Sequence, residues 1–280
     1  MKMQPLAAML ASASVLLGCS DTSETAEIAE PGMVHIHGLG INPADGELYS
    51  ATHYGLFRVT ADDEPQRVGE LVQDFMGFTV VGPDHFLASG HPGAGNHQQS
   101  PHLGLIESTD GGQSWNTLSL DGRADFHALE FRHGQVYGHD SQTGRVLMSA
   151  DRTTWSEGAT ERAIDVAVSP HNPDEVMLTT PQGMRRSRDR AATFEAVPNT
   201  PTLAYLSWPE AGELVGVDPA GTVFVSADDG ITWQPRVALD QKPQALLAAD
   251  DGQVFVATDT TIYQSSDNGV TVEPLASVGP

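Results

Sequence analysis

The sequence predicts an all-β protein, a single six-bladed β-propeller of four-stranded blades, and three observations lead to it. A short Ser–Asp–Gly pattern recurs five times, and the serines that open the copies are 41, 38, 39 and 39 residues apart. Between the copies lie short stretches of alternating apolar and polar residues, separated by Gly, Pro, Asn and Asp. A period near 40 residues with one turn signature per repeat is typical of propeller blades.

The repeated pattern has the chemistry of a tight turn. Its clearest copy is Ser-Thr-Asp-Gly-Gly-Gln-Ser-Trp at 108–115. Ser and Asp side chains accept hydrogen bonds from backbone N–H groups two or three residues further on, and glycine supplies positive φ. The aspartates of the five copies are Asp110, Asp151, Asp189, Asp228 and Asp267. An aromatic residue closes four of the copies, where it can pack between neighbouring sheets.

These turns resemble the Asp-box, or BNR, repeats of sialidases, sortilin-type receptors and a photosystem II assembly propeller. Phrases such as His-Ile-His-Gly-Leu-Gly at 35–40 and Ala-Ser-Gly-His-Pro at 88–92 also resemble a group of exported bacterial Asp-box proteins. That group often carries the labels glycosyl hydrolase or exo-sialidase. The resemblance implies Asp-box blades in which the five aspartates hold turns, and it says little about activity.

The blades follow one another along the chain. They are predicted at 34–70, 74–120, 125–159, 162–198, 201–238 and 243–277. In the first blade the turn pattern is reduced to Thr60 and Asp62. The last blade supplies its own fourth strand, so the sequence leaves the closure of the ring open, with residues 24–33 as one contributor.

The N-terminus reads as an export segment ahead of the propeller. Residues 1–18 combine Lys2 with an apolar stretch too short to span a bilayer, which is typical of a lipoprotein signal peptide. Cys19, the only cysteine, is the expected site of lipid attachment. Residues 19–32 are an acidic tether, and 33–280 form the propeller. We expect an exported protein anchored in the cell envelope, on the periplasmic side or at the outer membrane.

The chain has a formal net charge of −23. Nucleic-acid binding is excluded because the chain lacks the cations that would neutralise phosphates. Adsorption to anionic lipid is disfavoured, so membrane contact is expected through the lipid anchor only. The charge attracts cations, although adaptation to a salty habitat explains it equally well. We expect a monomer that binds a metal or a small ligand, and the sequence does not name a protein partner.

The histidines fall unevenly on the two faces of the predicted propeller. Three lie in turns on the face of the Asp boxes: His85, His133 and His171. Eight lie on the opposite face, all in blades one to three: His35, His37, His53, His91, His97, His102, His127 and His139. A single histidine is usually a satisfied core or surface group, but eight on half of one face predict a functional site there.

The innermost strands, aligned by their apolar alternation, share one slot near their start. Its occupants in chain order are His37, Met76, His127, Ile164, Leu203 and Ala245. Two residues earlier stand His35, Asp74, Asp125 and Arg162. Residues two apart in a strand share a face. Side chains of His, Met and Asp from three adjacent blades are therefore expected at the mouth of the channel.

Imidazole together with thioether suits copper better than calcium or magnesium. We therefore predict a mononuclear site for copper or another late transition metal. Its candidate ligands are His35, His37, Met76 and His127, with His53 or His91. Asp74 and Asp125 are ligands or groups that fix histidine tautomers. Residues 92–101, rich in Gly and Pro, are predicted to cover the mouth as a flap or to form a disordered loop. Further groups of the site and its loop are His97, His102, His139 and Arg162.

Hydrolysis is the alternative function. A sialidase, as the resemblance describes it, needs three arginines, a Tyr–Glu pair and an Asp. The sequence offers no matching arginine set, and no tyrosine has an evident Glu partner. A glycosidase using two carboxylates remains open, with Asp74, Asp125 and Asp165 as candidate catalytic residues. A third reading is a protein-binding scaffold, for which the basic cluster at 185–190 is the relevant feature, unless it pairs with the chain's own carboxylates.

Overall fold

The computed structural model describes residues 1, 32–60, 64–94, 96 and 98–279. By its contacts the chain divides into Met1–Glu30 and Pro31–Pro280, and the fold described below is that of the second unit. Apart from Met1, the predicted signal peptide lies outside the described residues. So do Cys19, nearly all of the tether, Asp62 and His97. Within the described residues, no helix is long and apolar enough to cross a membrane.

Six four-stranded antiparallel sheets confirm the predicted six-bladed propeller, and the described residues contain no helix. Blade one comprises β1 (Ile36–Ile41), β2 (Leu48–Thr52), β3 (Gly55–Val59) and β4 (Gln66–Val68). Blade two comprises β5 (Asp74–Gly82), β6 (His85–His91), β7 (Leu105–Ser108) and β8 (Asn116–Ser119). Blade three comprises β9 (Phe126–Arg132), β10 (Gln135–Asp140), β11 (Arg145–Ser149) and β12 (Ser156–Thr160).

The remaining three blades repeat this order. Blade four comprises β13 (Asp165–Val168), β14 (Val176–Thr180), β15 (Gly183–Ser187) and β16 (Glu195–Ala196). Blade five comprises β17 (Tyr205–Ser207), β18 (Leu214–Val217), β19 (Thr222–Ser226) and β20 (Gln234–Ala238). Blade six comprises β21 (Pro243–Ala248), β22 (Val254–Thr258), β23 (Thr261–Ser265) and β24 (Glu273–Ser277). In each sheet the strands pair in chain order, so every blade is a meander.

The core lies between the blades. The second strands, β2, β14 and β22, are buried at every position because both faces of the sheet are covered by neighbouring blades. Between blades one and two, Leu56, Phe75 and Phe86 belong to one buried apolar cluster. Burial of this kind is the dominant favourable term in folding, and it holds adjacent blades together without any disulfide.

The repeated aspartates close the turns between the third and fourth strands. In blade five, Oδ1 of Asp228 accepts a hydrogen bond from the Thr232 N–H at 2.7 Å and Oδ2 accepts one from the Thr232 hydroxyl at 2.6 Å. Ser226 Oγ donates to Asp228 and accepts from the Gly230 N–H, both at 2.8 Å. The same contacts recur at Asp110, Asp189 and Asp267, and a shorter version at Asp151. These five residues therefore hold turns, away from the histidines that form the site.

Blade one packs directly against blade six to close the ring. The backbone N–H of Ile36 donates to Oε1 of Gln244 at 2.8 Å. Met33 is buried and forms an antiparallel bridge with Gly279, whose N–H donates to the Met33 carbonyl at 2.9 Å. Closure thus combines a complete fourth strand in blade six with one bridge from the residue at the start of the propeller. Met33 consequently faces the core and not the channel.

Candidate metal centre

A β-bulge at the start of the innermost strand aims one side chain of several blades into the channel mouth. In blade two, Phe75 pairs with Gly90 and Gly77 with Ser89, which leaves Met76 without a partner. The same bulge leaves His37, His127 and Gln244 unpaired in blades one, three and six. All four side chains line a cavity of about 470 Å³ at the mouth. Bulges are known to redirect side chains in this way next to functional sites.

The bulge also shifts the register that alternation predicts for the later blades. Ile164 occupies the slot as expected and lines the mouth. The prediction of Leu203 and Ala245 for this slot is wrong, since both are buried in the core. Gln244 holds the slot in blade six, because the bulge inserts one residue that simple alternation does not count.

Two groups of three donor side chains lie next to this mouth, each across a blade interface, and His37 is the member that lines the cavity itself. We call them cluster I and cluster II. Cluster I contains His37 and His53 of blade one with Asp74 of blade two, and its ligand atoms lie within 4.8 Å of one another. Nε2 of His37 lies 3.5 Å from Oδ1 of Asp74, and Nδ1 of His53 lies 3.1 Å from Oδ2. His37 Nε2 and Asp74 Oδ1 are both buried without a hydrogen-bond partner.

Cluster II contains His91 and His102 of blade two with Asp125 of blade three, again with ligand atoms within 4.8 Å. Nε2 of His91 lies 3.7 Å from Oδ1 of Asp125, and Nδ1 of His102 lies 3.6 Å from Oδ2. The Asp125 side chain is only 4% exposed. His102 Nδ1 and Asp125 Oδ1 are buried without a hydrogen-bond partner. Buried polar atoms normally find partners, so the unpaired atoms of both clusters require an explanation.

The other carboxylate oxygen of Asp125, Oδ2, is held by two side chains of blade three. Ser141 Oγ donates to Oδ2 at 2.7 Å, and His127 Nε2 lies 3.0 Å from the same atom. Burial tends to raise the pKa of Asp125, but the bonds from His127 and Ser141 and the nearby imidazoles prevail and place it at about 2. Asp125 is therefore a fixed carboxylate whose Oδ1 faces His91 and whose Oδ2 faces His102 in cluster II.

Cluster I has a different electrostatic balance. Burial raises the pKa of Asp74, and the neighbouring His53 works in the opposite direction. Burial, followed by the charges of His53 and His127, lowers the pKa of His37 to about 4. The His37 ring is thus neutral at ordinary pH and offers a nitrogen lone pair, which is the form of histidine that binds metals.

The structure separates the predicted ligands of one mononuclear site into different roles. His37, His53 and His91 join the clusters, and so does His102, which the sequence placed only in the covering loop. His127 contacts Asp125 and lines the mouth. Strand alternation fails at His35, which has a φ of 51° and is exposed, with its ring 6.1 Å from that of His53.

His139 belongs to neither cluster, although it lines the mouth. It is the last residue but one of β10, and its Nε2 is 2.9 Å from the Glu161 carbonyl oxygen. Ser141 takes the position equivalent to His53 and His91, and sequence reasoning missed it. Met76 and Arg162 line the mouth.

The histidines predicted to lie in turns contact residues near those turns. His85 lies 2.7 Å from Glu107, and His133 lies 2.8 Å from the Ser169 carbonyl.

The channel behind the mouth is a cavity of about 560 Å³ lined by acidic side chains, among others. Burial raises the pKa of Glu130 to about 7 and that of Asp165 to about 6. Asp165 also joins blades four and five, since it accepts the Leu206 N–H at 2.9 Å. Sequence reasoning named Asp165 but missed Glu130, which carries no motif and is exceptional only through its burial.

The basic cluster at 185–190 pairs largely with carboxylates of the same chain. Arg185 contacts Glu161 at 3.0 Å, and Arg186, which is buried, contacts Glu175 at 3.2 Å. Arg190 contacts Asp174 at 2.6 Å. These pairs match the alternative in which the basic cluster pairs with the chain's own carboxylates. The cluster therefore gives little support to a scaffold function.

No protein-family model and no curated protein matches the sequence. Among solved structures, the fold resembles that of an ancestral GH74 enzyme, with 13% sequence identity and a TM-score of 0.58. The likeness covers 90% of this chain and 39% of that one. It resembles the GH74 xyloglucanase from Xanthomonas campestris at 16% identity and a TM-score of 0.56, covering 88% and 46%. This chain thus spans less than half of either GH74 chain.

A third likeness covers most of both molecules. A catalytically inactive virginiamycin B lyase from Staphylococcus aureus, solved with quinupristin, is 12% identical with a TM-score of 0.57. The likeness extends over 89% of this chain and 86% of the lyase. At such identities these resemblances establish the β-propeller fold alone.

Proposed function

We propose that this propeller binds late transition metal ions, of the copper or zinc class, at clusters I and II. The observation that carries the proposal is the set of four buried atoms without hydrogen-bond partners: His37 Nε2, Asp74 Oδ1, His102 Nδ1 and Asp125 Oδ1. Each cluster contributes two of them, facing the same small space. A cation at each position would satisfy all four atoms.

The donor chemistry favours this class of ion. Two imidazoles and one carboxylate suit zinc, copper, iron or nickel, whereas calcium and magnesium prefer oxygen ligands. Met76 at the mouth adds a soft thioether, which supports copper in particular. The contacts of Ser141 and His127 to Asp125 resemble the outer hydrogen bonds that orient ligands in metal sites. We also propose that the protein is an exported Asp-box propeller, lipid-anchored through Cys19, and that it presents the metal outside the cytoplasm.

Metal analysis of the purified protein, with copper and zinc titrations, tests the proposal. We expect about two equivalents per chain. A His53→Ala, Asp74→Asn variant and a His102→Ala, Asp125→Asn variant should each lose one of them. His171→Ala removes an exposed histidine from the opposite face and is the matched control. Binding that is weak and equally insensitive to both double variants would refute the proposal.

A glycoside hydrolase is the second candidate, because two carboxyl groups with raised pKa values, Glu130 and Asp165, face the same channel. A carboxyl group kept protonated near neutral pH is what a general acid requires. The fold shared with two GH74 enzymes adds only that propellers can carry such activity. Hydrolysis of aryl glycosides or xyloglucan, lost in both Glu130→Gln and Asp165→Asn, would support this candidate, and no turnover of any of them would remove it.

A further inference from the structure

Arg162 occupies, in blade four, the position that Asp74 and Asp125 occupy in blades two and three. The strand pairings make this equivalence explicit. Asp74 and Asp125 directly precede Phe75 and Phe126. These pair with Gly90 near the end of β6 and with Asp140 at the end of β10. In blade four, Asp165 pairs with Thr179, and the backbone N–H of Ile164 donates to the carbonyl of the same Thr179. Two residues therefore face one, and the bulge lies at Ile164. Arg162 lies two residues before it, as Asp74 lies two before Met76.

The charge of the side chain at this position therefore changes from negative to positive between successive blades. Two successive blades present a carboxylate at this position, and the third presents a guanidinium. Because neighbouring blades are adjacent in space, Arg162 is the next such residue after Asp125 along the ring. It lines the cavity that His37 and His127 also line.

Arg162 does not pair with the carboxylate beside it in the sequence. The adjacent Glu161 pairs with Arg185 at 3.0 Å instead. In the portion of the chain with described coordinates, no carboxylate forms an ion pair with Arg162. Tyr205 and Gln244 line the same cavity and add polar groups near it.

The charge of the loaded clusters points in the same direction. The two clusters contain four imidazoles and two carboxylates. Two divalent ions exceed the charge of two carboxylates by two units, so the loaded centre is a net cation. Asp74 and His91 are direct cross-strand partners, although one belongs to cluster I and the other to cluster II. Directly opposed residues have Cα atoms about 5 Å apart, so the two clusters are neighbours across the pairing of β5 and β6.

We propose, on the basis of the metal binding inferred above, that the loaded mouth binds a small oxyanion. The metal of cluster I, whose ligand His37 lines the same cavity as Arg162, holds one end of the anion, and the Arg162 guanidinium holds the other. A guanidinium presents paired N–H donors that match carboxylate and phosphate oxygens. The cavity of about 470 Å³ is within the range typical of small-molecule sites. Carboxylates and phosphates share this recognition chemistry, and inorganic phosphate is a suitable probe.

The test is calorimetric titration of inorganic phosphate into zinc-loaded protein freed of unbound metal, at fixed ionic strength. The same titration is run on the metal-free protein, on Arg162→Ala and on Arg188→Ala, a control arginine in blade four that does not line the mouth. We expect binding to the loaded wild type, none to the metal-free protein, and about tenfold weaker binding to Arg162→Ala, the order for one lost charge-assisted hydrogen bond. Arg188→Ala should bind as wild type does.

Metal content is measured first on every sample, which separates the two proposals. Protein that retains no zinc contradicts the proposed metal function itself. Protein that retains zinc in both the wild type and Arg162→Ala, but binds no phosphate, overturns the oxyanion site alone. Equal phosphate binding with and without metal, or equal binding by wild type and Arg162→Ala, also overturns it.

Discussion

The Nε2 atom of His91 faces Oδ1 of Asp125 at 3.7 Å while its Nδ1 lies 2.8 Å from the carbonyl oxygen of Pro101. A carbonyl accepts only, so Nδ1 must carry the ring proton. In the neutral ring, Nε2 is then a lone pair directed at a carboxylate oxygen. Two acceptors that face each other repel, and a cation between them removes the repulsion. The loop that contains Pro101 thus selects the histidine tautomer suited to metal binding.

Replacing Asp125 with asparagine should separate metal binding from stability. In Asp125→Asn, the amide oxygen can keep the bonds from Ser141 and His127, while the amide N–H₂ faces the lone pair of His91 and donates to it. We expect unchanged or greater stability of the metal-free protein, by up to about 1 kcal/mol, and at least hundredfold weaker metal binding at cluster II. Thermal unfolding and metal titration measure the two effects. Asp121→Asn, at an exposed carboxylate, is the control, and a variant that binds metal normally would refute the role of Asp125.

Ser141 should act on cluster II through Asp125 alone. Ser141→Ala removes the 2.7 Å bond to Oδ2, which leaves the carboxylate less firmly oriented. We expect about tenfold weaker metal binding at cluster II, as is usual for loss of a ligand's supporting hydrogen bond. Cluster I provides the internal control and should bind with unchanged affinity. A simple loss of stability would weaken both clusters together, and that result would contradict a positioning role for Ser141.

The six blades could be predicted because their signals are local. Each turn repeats the same Ser and Asp contacts over five residues, as at Asp228, and each strand alternates with period two. The face that carries the histidines follows from the same regularity. Blade boundaries predicted at 74–120 and 243–277 accordingly match β5 to β8 and β21 to β24 closely.

The composition of the site could not be predicted to the same depth, because it depends on departures from that regularity. A bulge displaces Gln244 into the slot predicted for Ala245. A left-handed backbone turns His35 away from the alternation expected of a strand. His102 reaches cluster II from an irregular loop, whose path no periodic pattern specifies. The sequence therefore predicts which types of ligand meet at the mouth, but not how they divide into two clusters.

Glu130 should make stability depend on pH between about 4.5 and 7. Its folded pKa is raised from 4.5 to about 7, first by burial and then by the nearby Asp165, although Arg132 opposes the change. A carboxyl whose pKa is raised on folding favours the folded state below 4.5, and this contribution is lost as pH rises through about 7. Glu130→Gln should match wild type at pH 4 and exceed it at pH 8. Because 24% of the side chain is exposed, we expect a gain of the order of 1 kcal/mol.

Denaturant titrations of both proteins across this range measure the difference. A gap between wild type and Glu130→Gln that stays constant with pH would contradict the raised pKa. Asp259→Asn, at an exposed carboxylate in the last blade, should show no such dependence.

Asp228 should make stability depend on pH with the opposite sign, because its contribution is lost in acid. Hydrogen bonds from Thr232 lower its pKa from 3.8 to about 2 in the folded protein. A carboxyl whose pKa falls on folding stabilises the protein above 3.8, and this contribution is lost as pH drops through about 2. Asp228→Asn should therefore melt at a lower temperature at pH 7, and its disadvantage should shrink towards pH 2. Calorimetry at several pH values measures this, and a disadvantage that grows on acidification would exclude the mechanism.

Gly90 should be indispensable to the geometry that places the two clusters side by side. It stands between Ser89 and His91 with a φ of +152°, and a Cβ atom there would lie 1.8 Å from the Asp74 carbonyl oxygen. Backbone cannot yield to such a contact as a flexible side chain can, so Gly90→Ala must separate β5 from β6 at the paired residues Asp74 and His91. We expect destabilisation of about 3 kcal/mol.

Metal stoichiometry reports the local consequence of this substitution. Asp74 belongs to cluster I and His91 to cluster II, so a displacement at Gly90 alters both clusters at once. Gly90→Ala should lose both equivalents at temperatures where circular dichroism still shows folded protein. Gly82→Ala is the matched control, because a Cβ at this glycine at the end of β5 meets nothing within 4 Å, and it should change stability by less than about 0.5 kcal/mol. If Gly90→Ala were to lose only stability and keep both ions, the clusters would not depend on the close approach of these two strands.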